Sequence, residues 1–343
     1  MKKIALMGAG ATGTIMGALI AQGGEDIVLV SADRDHVEAL NKNGATISGG
    51  MDLTVPVNAV LPNELDGTFD LVIYSVKSTA DDVALPQIVP HLHKDSVVLT
   101  TQNGVPEEKV ASYVGEERTL GGSIVGWAAA LDAPGVARLA GKPEEMTYKI
   151  GELNGEVTPR IKAVQAILNH AGKAVIAEDL AGMRWTKLLI NVSMSGLSAA
   201  LGCPFGFILD NEKAIETALT LKVETLKTAQ ALGITIESVI FKTPDEFIAT
   251  LRENPQNAKQ ALREMFDGQR NGKPSMLQDL EKGKPTEVES INGFLANKAQ
   301  EAGVDAPVND TILQIIRAIQ NGEKTLTTEN LSAIELKPFT QIV

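Results

Sequence analysis

The sequence predicts an α/β doubly wound sheet followed by an all-α domain. Three observations carry that reading. Short apolar runs alternate with helical patterns through the first half. A glycine-rich turn follows directly on the first such run. Beyond about residue 178 the β-type runs give out and helical periodicity takes over. At 343 residues, 44% of them hydrophobic, the chain can fill two cores, which places the domains at 1–178 and 179–343.

Ile4 to Met7, Ile27 to Val30, Leu71 to Val76 and Val97 to Thr100 are short, nearly unbroken apolar runs, as expected of strands covered on both faces. Ala11 to Gln22, Arg34 to Asn43 and Thr79 to Leu92 are the helices between them, and Gly44 stands where a left-handed cap belongs. Segments 119–130, 136–140 and 146–150 are further strands, and 158–171 is a helix. Leu180 to Leu201 is one long helix with Asp179 placed to cap it. Helices follow over 211–232, 245–253, 256–270, 287–302 and 308–321, and the polar tail after Asn321 is expected to be loosely ordered.

Composition narrows the function. A formal net charge of -12 and a pI near 4.9 repel phosphate backbones, which argues against a nucleic-acid partner. Cys203 stands alone, so no intrachain disulfide forms and a reducing, cytoplasmic setting is expected. The apolar run at the amino terminus is broken by Gly8, Gly10 and Gly13, and no stretch reaches the ~20 apolar residues of a membrane span. No membrane association is expected.

Gly8-Ala9-Gly10-Ala11-Thr12-Gly13 lies between the first strand and the first helix. In that position the first glycine permits a tight turn, the second lets backbone approach a pyrophosphate, and the third lets helix pack on strand. The helix amino terminus then offers N–H groups to the phosphates. This is the signature of a Rossmann-type dinucleotide site; a glycine-rich turn without a ligand is the alternative. After the second strand, neutral Ser31 and basic Arg34 favour NADP, whereas Asp33 favours NAD. NADP(H) is the expected cofactor, with NAD(H) second.

Lys187, Asn191 and Ser195 recur at i, i+4 and i+8, which puts an ammonium, an amide and a hydroxyl along one helix face. A lysine on a largely buried helix loses pKa and can give a proton to a developing alkoxide. A polar seam satisfied by neighbouring helices reads equally well. Ser275-Met276-Leu277-Gln278-Asp279 precedes Thr286-Glu287, where Thr286 and Glu289 fit a capping box and Glu287 falls in the first helical turn. Thr101-Gln102-Asn103-Gly104 and Lys77 sit beyond the carboxyl ends of strands, where open sheets bind ligands; an Asn-Gly turn and a solvated lysine are the plain readings. His91 and His93 are expected in a surface loop, and Cys203 lacks a partner histidine.

In this order the pieces resemble the ketopantoate reductase (2-dehydropantoate 2-reductase) family. The resemblance runs from Gly8 to about Asn321 and rests on the glycine loop, Val76-Lys77, Gln102-Asn103-Gly104, Trp185-Thr186-Lys187-Leu188 with Asn191, and the block from Ser275 through Thr286-Glu287 to Ile291-Asn292-Gly293. It implies a Rossmann domain, a helical domain, an active site in the cleft and commonly a homodimer. It further implies that Lys187 is the general acid and Glu287 orients the substrate hydroxyl. Ser275 would contact the carboxylate, Asn103 and Asn191 would line the site, and Lys77 would lie near cofactor and substrate. The chain departs from the pattern at Ser195, where a second asparagine is usual, at Asp33-Arg34, and in a longer segment from Glu237 to Asn271. Relatives with such changes resemble NAD-dependent D-2-hydroxyacid dehydrogenases.

The expectation is an NADPH-dependent reduction of a 2-keto acid, ketopantoate to (R)-pantoate. A D-2-hydroxyacid dehydrogenase acting on a branched or aromatic 2-keto acid is the alternative. The 3-hydroxyacid dehydrogenases share the lysine and asparagine but lack the block from Ser275 to Glu287. A non-catalytic NADP sensor has no need of Lys187, Asn191 and Glu287 together.

Overall fold

Alternate residues of the first strand, β1 (Ile4–Met7), feed two different cores. Ile4 and Leu6 pack with one, Ala5 and Met7 with the other, as the two-residue period of a strand requires. A strand buried on both faces has no polar side to show, hence its unbroken apolar sequence. The computed structural model describes residues 1–343. They divide into two units, Met1–Leu180 and Ala181–Val343.

In the first unit β1 leads to α1 (Ala11–Gln22), β2 (Ile27–Val30), α2 (Arg34–Asn43), β3 (Ala45–Gly49), β4 (Leu53–Val55), β5 (Asn58–Val60) and β6 (Phe69–Tyr74). Then come α3 (Asp81–Ile88), β7 (Leu92–Thr100), α4 (Glu107–Val114), β8 (Thr119–Val125), β9 (Ala128–Ala133), β10 (Val136–Ala140), β11 (Thr147–Glu152), α5 (Pro159–Leu168) and β12 (Lys173–Ile176). The main sheet is eight-stranded, in the order β12-β11-β8-β7-β6-β1-β2-β5. From β8 to β5 the strands are parallel, while β11 runs antiparallel to β8. Residues of α1 and α5 build the core on one face, and those of α3 and α4 the core on the other. This is the doubly wound arrangement. The order reverses at β1, so the turns after β1 and β6 flank the switch point where such sheets bind ligands.

A second, four-stranded sheet, β4-β3-β10-β9, packs on α1. It corrects the reading of 119–130 as one strand. At Gly126 φ is +83° and the chain leaves the main sheet, so β8 and β9 pair with different neighbours. The strands β3 to β5 left no clear mark, because runs this short carry little periodicity. Asp33 caps α2, its carboxylate accepting from His36 N at 3.1 Å, and Gly44 follows with φ +79°.

The second unit opens with α6 (Leu180–Ile190), a π-helical turn over Asn191–Gly196, and α7 (Leu197–Leu201). The expected long helix is therefore continuous but widened at its centre. Then follow α8 (Phe205–Asp210), α9 (Glu212–Ala231), α10 (Pro244–Glu253), α11 (Pro255–Phe266) and α12 (Ser275–Glu281). A second π-helical turn, Glu289–Gly293, leads into α13 (Phe294–Ala302) and α14 (Pro307–Gln320). Asn211 caps α9 through Ala214 N at 3.1 Å. That helix is buried on nearly every side, so the unit is built around it.

Two further expectations are corrected. The capping box of Thr286 with Glu289 does not form: Glu289 instead takes the Arg317 guanidinium at 2.6 and 2.7 Å, and Thr286 Oγ1 accepts from Val288 N at 3.3 Å. The tail after Asn321 is not loose. A 3-10 helix spans Thr328–Ala333, Ile334 is buried, and Asn330 Nδ2 donates to Ala200 O at 3.0 Å. Of its apolar residues only Leu331 and Ile334 are buried, a pattern too sparse to register as periodicity.

Candidate active site

In the first unit the glycine turn is held by Gly8 N and Ala9 N, both donating to Val30 O at 3.0 and 2.9 Å. Gly8 has φ +100°, and a Cβ there would lie 2.6 Å from Ser75 C. A Cβ on Gly13 would strike the Gly8 carbonyl oxygen, so helix and strand touch as the motif requires. Gly10 differs: a Cβ there would meet nothing within 4 Å. The fold does not need a glycine at 10, and the exposed backbone there leaves room for a pyrophosphate. No side chain caps α1 and no acidic residue lies in its first turn. The donor end of the helix therefore suits the phosphates of a dinucleotide. Ala9 is buried behind this turn, and Ala11 and Thr12 are half-exposed on it.

Ser31 ends β2 half-exposed, its Oγ accepting from Asp33 N at 3.3 Å. Asp33 is engaged as the α2 cap, and Arg34 is exposed beside it.

The structure brings the Lys77 and Asn103 turns together through Gln102, whose part sequence reasoning missed. Its Nε2 donates to Val76 O at 2.9 Å and to Asp81 Oδ1 at 2.7 Å. Tyr74 Oη donates to the same oxygen at 2.9 Å. Thr100 Oγ1 in turn donates to Gln102 Oε1 at 3.0 Å. Lys77 is exposed and Asn103 half-buried on this rim.

In the second unit Lys187, Asn191 and Ser195 are all part-exposed, whereas Leu188, Leu189, Val192, Ser193 and Met194 are buried. The π-helical turn explains why. In an uninterrupted α-helix residues i and i+8 stand about 80° apart. One extra residue in the turn puts Ser195 where i+7 would be, about 20° from the Lys187 line. Trp185 anchors the opposite side of α6 edge-on against Phe294, with ring centroids 5.9 Å apart.

Burial pushes the Lys187 ammonium down to about 8; the Arg184 guanidinium adds to that shift and the Glu287 carboxylate opposes it. Glu287 and Thr286 are buried, Thr286 N donating to Gln320 Oε1 at 2.7 Å. Ser275 is the first residue of α12, exposed, on a helix that packs against the Asn191–Gly196 turn. The two π-helical turns also pack on one another. A lysine poised near neutrality beside an amide, a hydroxyl and a carboxylate can deliver a proton to a carbonyl oxygen or remove one from an alcohol.

The other candidates are accounted for structurally. His91 Nδ1 lies 2.7 Å from Gly67 O, and His93 Nε2 lies 3.1 Å from Asp70 Oδ1. The buried Cys203 thiol is pushed up to about 12, which leaves it unreactive.

A family model described as Ketopantoate reductase PanE/ApbA matches residues 4–155, and its C-terminal counterpart matches 179–320. A 2-dehydropantoate 2-reductase of Pyrococcus horikoshii is 31% identical over 319 residues, 92% of this chain and 97% of that protein. Among solved structures, a 2-dehydropantoate 2-reductase from Geobacter metallireducens is 28% identical with a TM-score of 0.80, over 92% of this chain and 99% of that one. A D-mandelate dehydrogenase with NADH and anilino(oxo)acetate superposes with a TM-score of 0.81 at 24% identity, over 94% and 100%, a likeness of fold.

Proposed function

The chain belongs to the ketopantoate reductase family of nicotinamide-dependent oxidoreductases, and on that footing we propose that it reduces ketopantoate to (R)-pantoate with NADPH. The observation carrying this reading is Lys187, part-exposed in line with Asn191 and Ser195 and lowered to about 8.

The glycine turn and the donor end of α1 hold the pyrophosphate, and Arg34 and Ser31 take the 2′-phosphate. Lys77 and Asn103, on the rim fixed by Gln102, complete the cofactor and substrate contacts. A bound nicotinamide supplies the hydride that reduces C2. Lys187 transfers a proton from Nζ to the carbonyl oxygen, so the ketone becomes a secondary alcohol and the lysine is left neutral. In the reverse direction the neutral amine removes the proton. Glu287 orients the substrate hydroxyl, Asn191 and Ser195 hold its polar groups, and Ser275 takes the carboxylate. The chain works as a cytoplasmic homodimer, in keeping with its family and its single, buried cysteine.

A second reading, an NAD-dependent D-2-hydroxyacid dehydrogenase for a branched or aromatic 2-keto acid, draws on Ser195 and Asp33. The shorter hydroxyl at 195 leaves room that an asparagine would fill, and Asp33 disfavours a 2′-phosphate. Oxidation of NADPH and NADH against ketopantoate and a set of branched and aromatic 2-keto acids tests both. Turnover of ketopantoate with NADPH at the highest kcat/KM is expected. Preference for NADH and an aromatic acid would replace the first reading with the second.

A further inference from the structure

Lys222, in the middle of α9, is fully buried, and nothing in the proposed chemistry uses it. Its Nζ donates to Ser193 Oγ at 2.8 Å, and Ser193 Oγ donates to Leu189 O at 2.6 Å. Ser193 lies inside the π-helical turn, two residues from Asn191 and two from Ser195.

The same helix reaches that turn by a second route. Glu224, also buried, accepts from Val308 N at 2.9 Å and Asn309 N at 2.8 Å at the start of α14. Asn309 Nδ2 donates to Asn292 O at 3.0 Å, and Asn292 Nδ2 donates to Asn309 Oδ1 at 2.9 Å. Asn292 belongs to the second π-helical turn and lies against Gly196, the last residue of the first.

Stability gives no reason for Lys222. A buried amine costs more than the apolar side chain that would fill the same space. A π-helical turn is itself a departure from the favoured helix and persists where surrounding groups hold it. If the turn relaxed to α-geometry, Ser195 would swing away from the Lys187 line. Resting on the reductase reading, we propose that Lys222 is a positioning residue: through Ser193 it holds the widened turn open and so keeps Ser195 and Asn191 aligned with Lys187. Burial pushes the Lys222 amine down to about 7, so near neutrality the uncharged form is well populated.

The test compares Lys222→Met, Ser193→Ala and the double variant with the parent. Each single change should lower kcat for ketopantoate about tenfold, the scale of a small misplacement in a catalytic constellation. KM for NADPH should stay within twofold. The double variant should be no worse than the poorer single, because both act through one hydrogen bond. Hydrogen exchange followed by mass spectrometry should quicken over residues 190–197 and nowhere else. A kcat within twofold of the parent in both singles, or losses that add in the double, overturns the proposal. If the parent reduces no 2-keto acid, the reductase reading falls. Positioning is then judged on exchange alone, where faster exchange confined to 190–197 supports it and unchanged exchange refutes it. Should Lys222→Met fail to fold, Ser193→Ala decides by the same readings.

Discussion

Gly196 stands so close to Asn292 that a Cβ at 196 would lie 2.5 Å from Asn292 Oδ1, itself a buried oxygen with no hydrogen-bond partner. Two widened helical turns meet at this point. Gly196→Ala should force them apart and cost about 1–3 kcal/mol, the usual penalty of overpacking. Denaturant unfolding measures the stability, and kcat should fall with it because Ser195 is the neighbouring residue.

The Lys187 value of about 8 fixes a pH limb. On the proposed mechanism reduction needs the protonated amine, so kcat/KM should decline as pH rises through about 8, while alcohol oxidation should rise over the same interval. Glu287 favours the charged form, so Glu287→Gln should move both limbs to lower pH. An unmoved limb in that variant would separate Glu287 from the titrating lysine.

Gly10 and Gly13 should behave differently when changed to alanine. Gly13→Ala meets the Gly8 carbonyl and should destabilise the fold. Gly10→Ala has free space around it and should change unfolding free energy by no more than about 0.5 kcal/mol. Its dissociation constant for NADPH should nevertheless rise roughly tenfold or more, the equivalent of one lost backbone contact. Calorimetric titration beside a melting curve reads both quantities.

Arg34 is exposed beside the Asp33 cap and is proposed to face the 2′-phosphate. Arg34→Ala should weaken NADPH about tenfold, the worth of one charge-assisted bond, and leave NADH unchanged. Equal effects on the two cofactors would place the phosphate elsewhere.

Burial of Lys222 should also be visible in stability. Its ordinary value of 10.5 falls to about 7 on folding, so between those limits the unfolded chain binds the proton more readily. Stability therefore gains as pH rises through that window. The melting-temperature advantage expected of Lys222→Met should be full below about pH 7 and shrink towards pH 9.

Much of this was legible because it is local. The glycine turn, the strand before it and the helix after it are adjacent in sequence, and the bounds of β1, α1, β2 and α2 match the patterns that announced them. The pairing of Lys187 with Asn191 was legible for a similar reason, since a helical period joins residues four apart, whereas Ser195 joins them only through the π-helical turn. The π-helical turns were not, because the same residue types support α-geometry and only packing selects the wider turn. Nothing in the helix over 211–232 marks Lys222 and Glu224 as buried; what buries them is α13, α14 and the first π-helical turn, far away in sequence. The strands β3 to β5 were hidden by their shortness, and the start of β9 by a change of sheet at Gly126, whereas β10 matches the run at 136–140. Gln102 was seen only as part of an Asn-Gly turn, because its partners Val76 and Asp81 lie in the segment from the end of β6 to the start of α3.

Cys203, the single thiol of the chain, is shielded and strongly disfavours its thiolate form. The wild-type protein is thus nearly blank to maleimide chemistry. A cysteine introduced at exposed Thr79 or Phe241 would be the only position a fluorophore could find. A labelled pair at those two sites would report, molecule by molecule, whether the two units move when dinucleotide or keto acid is added.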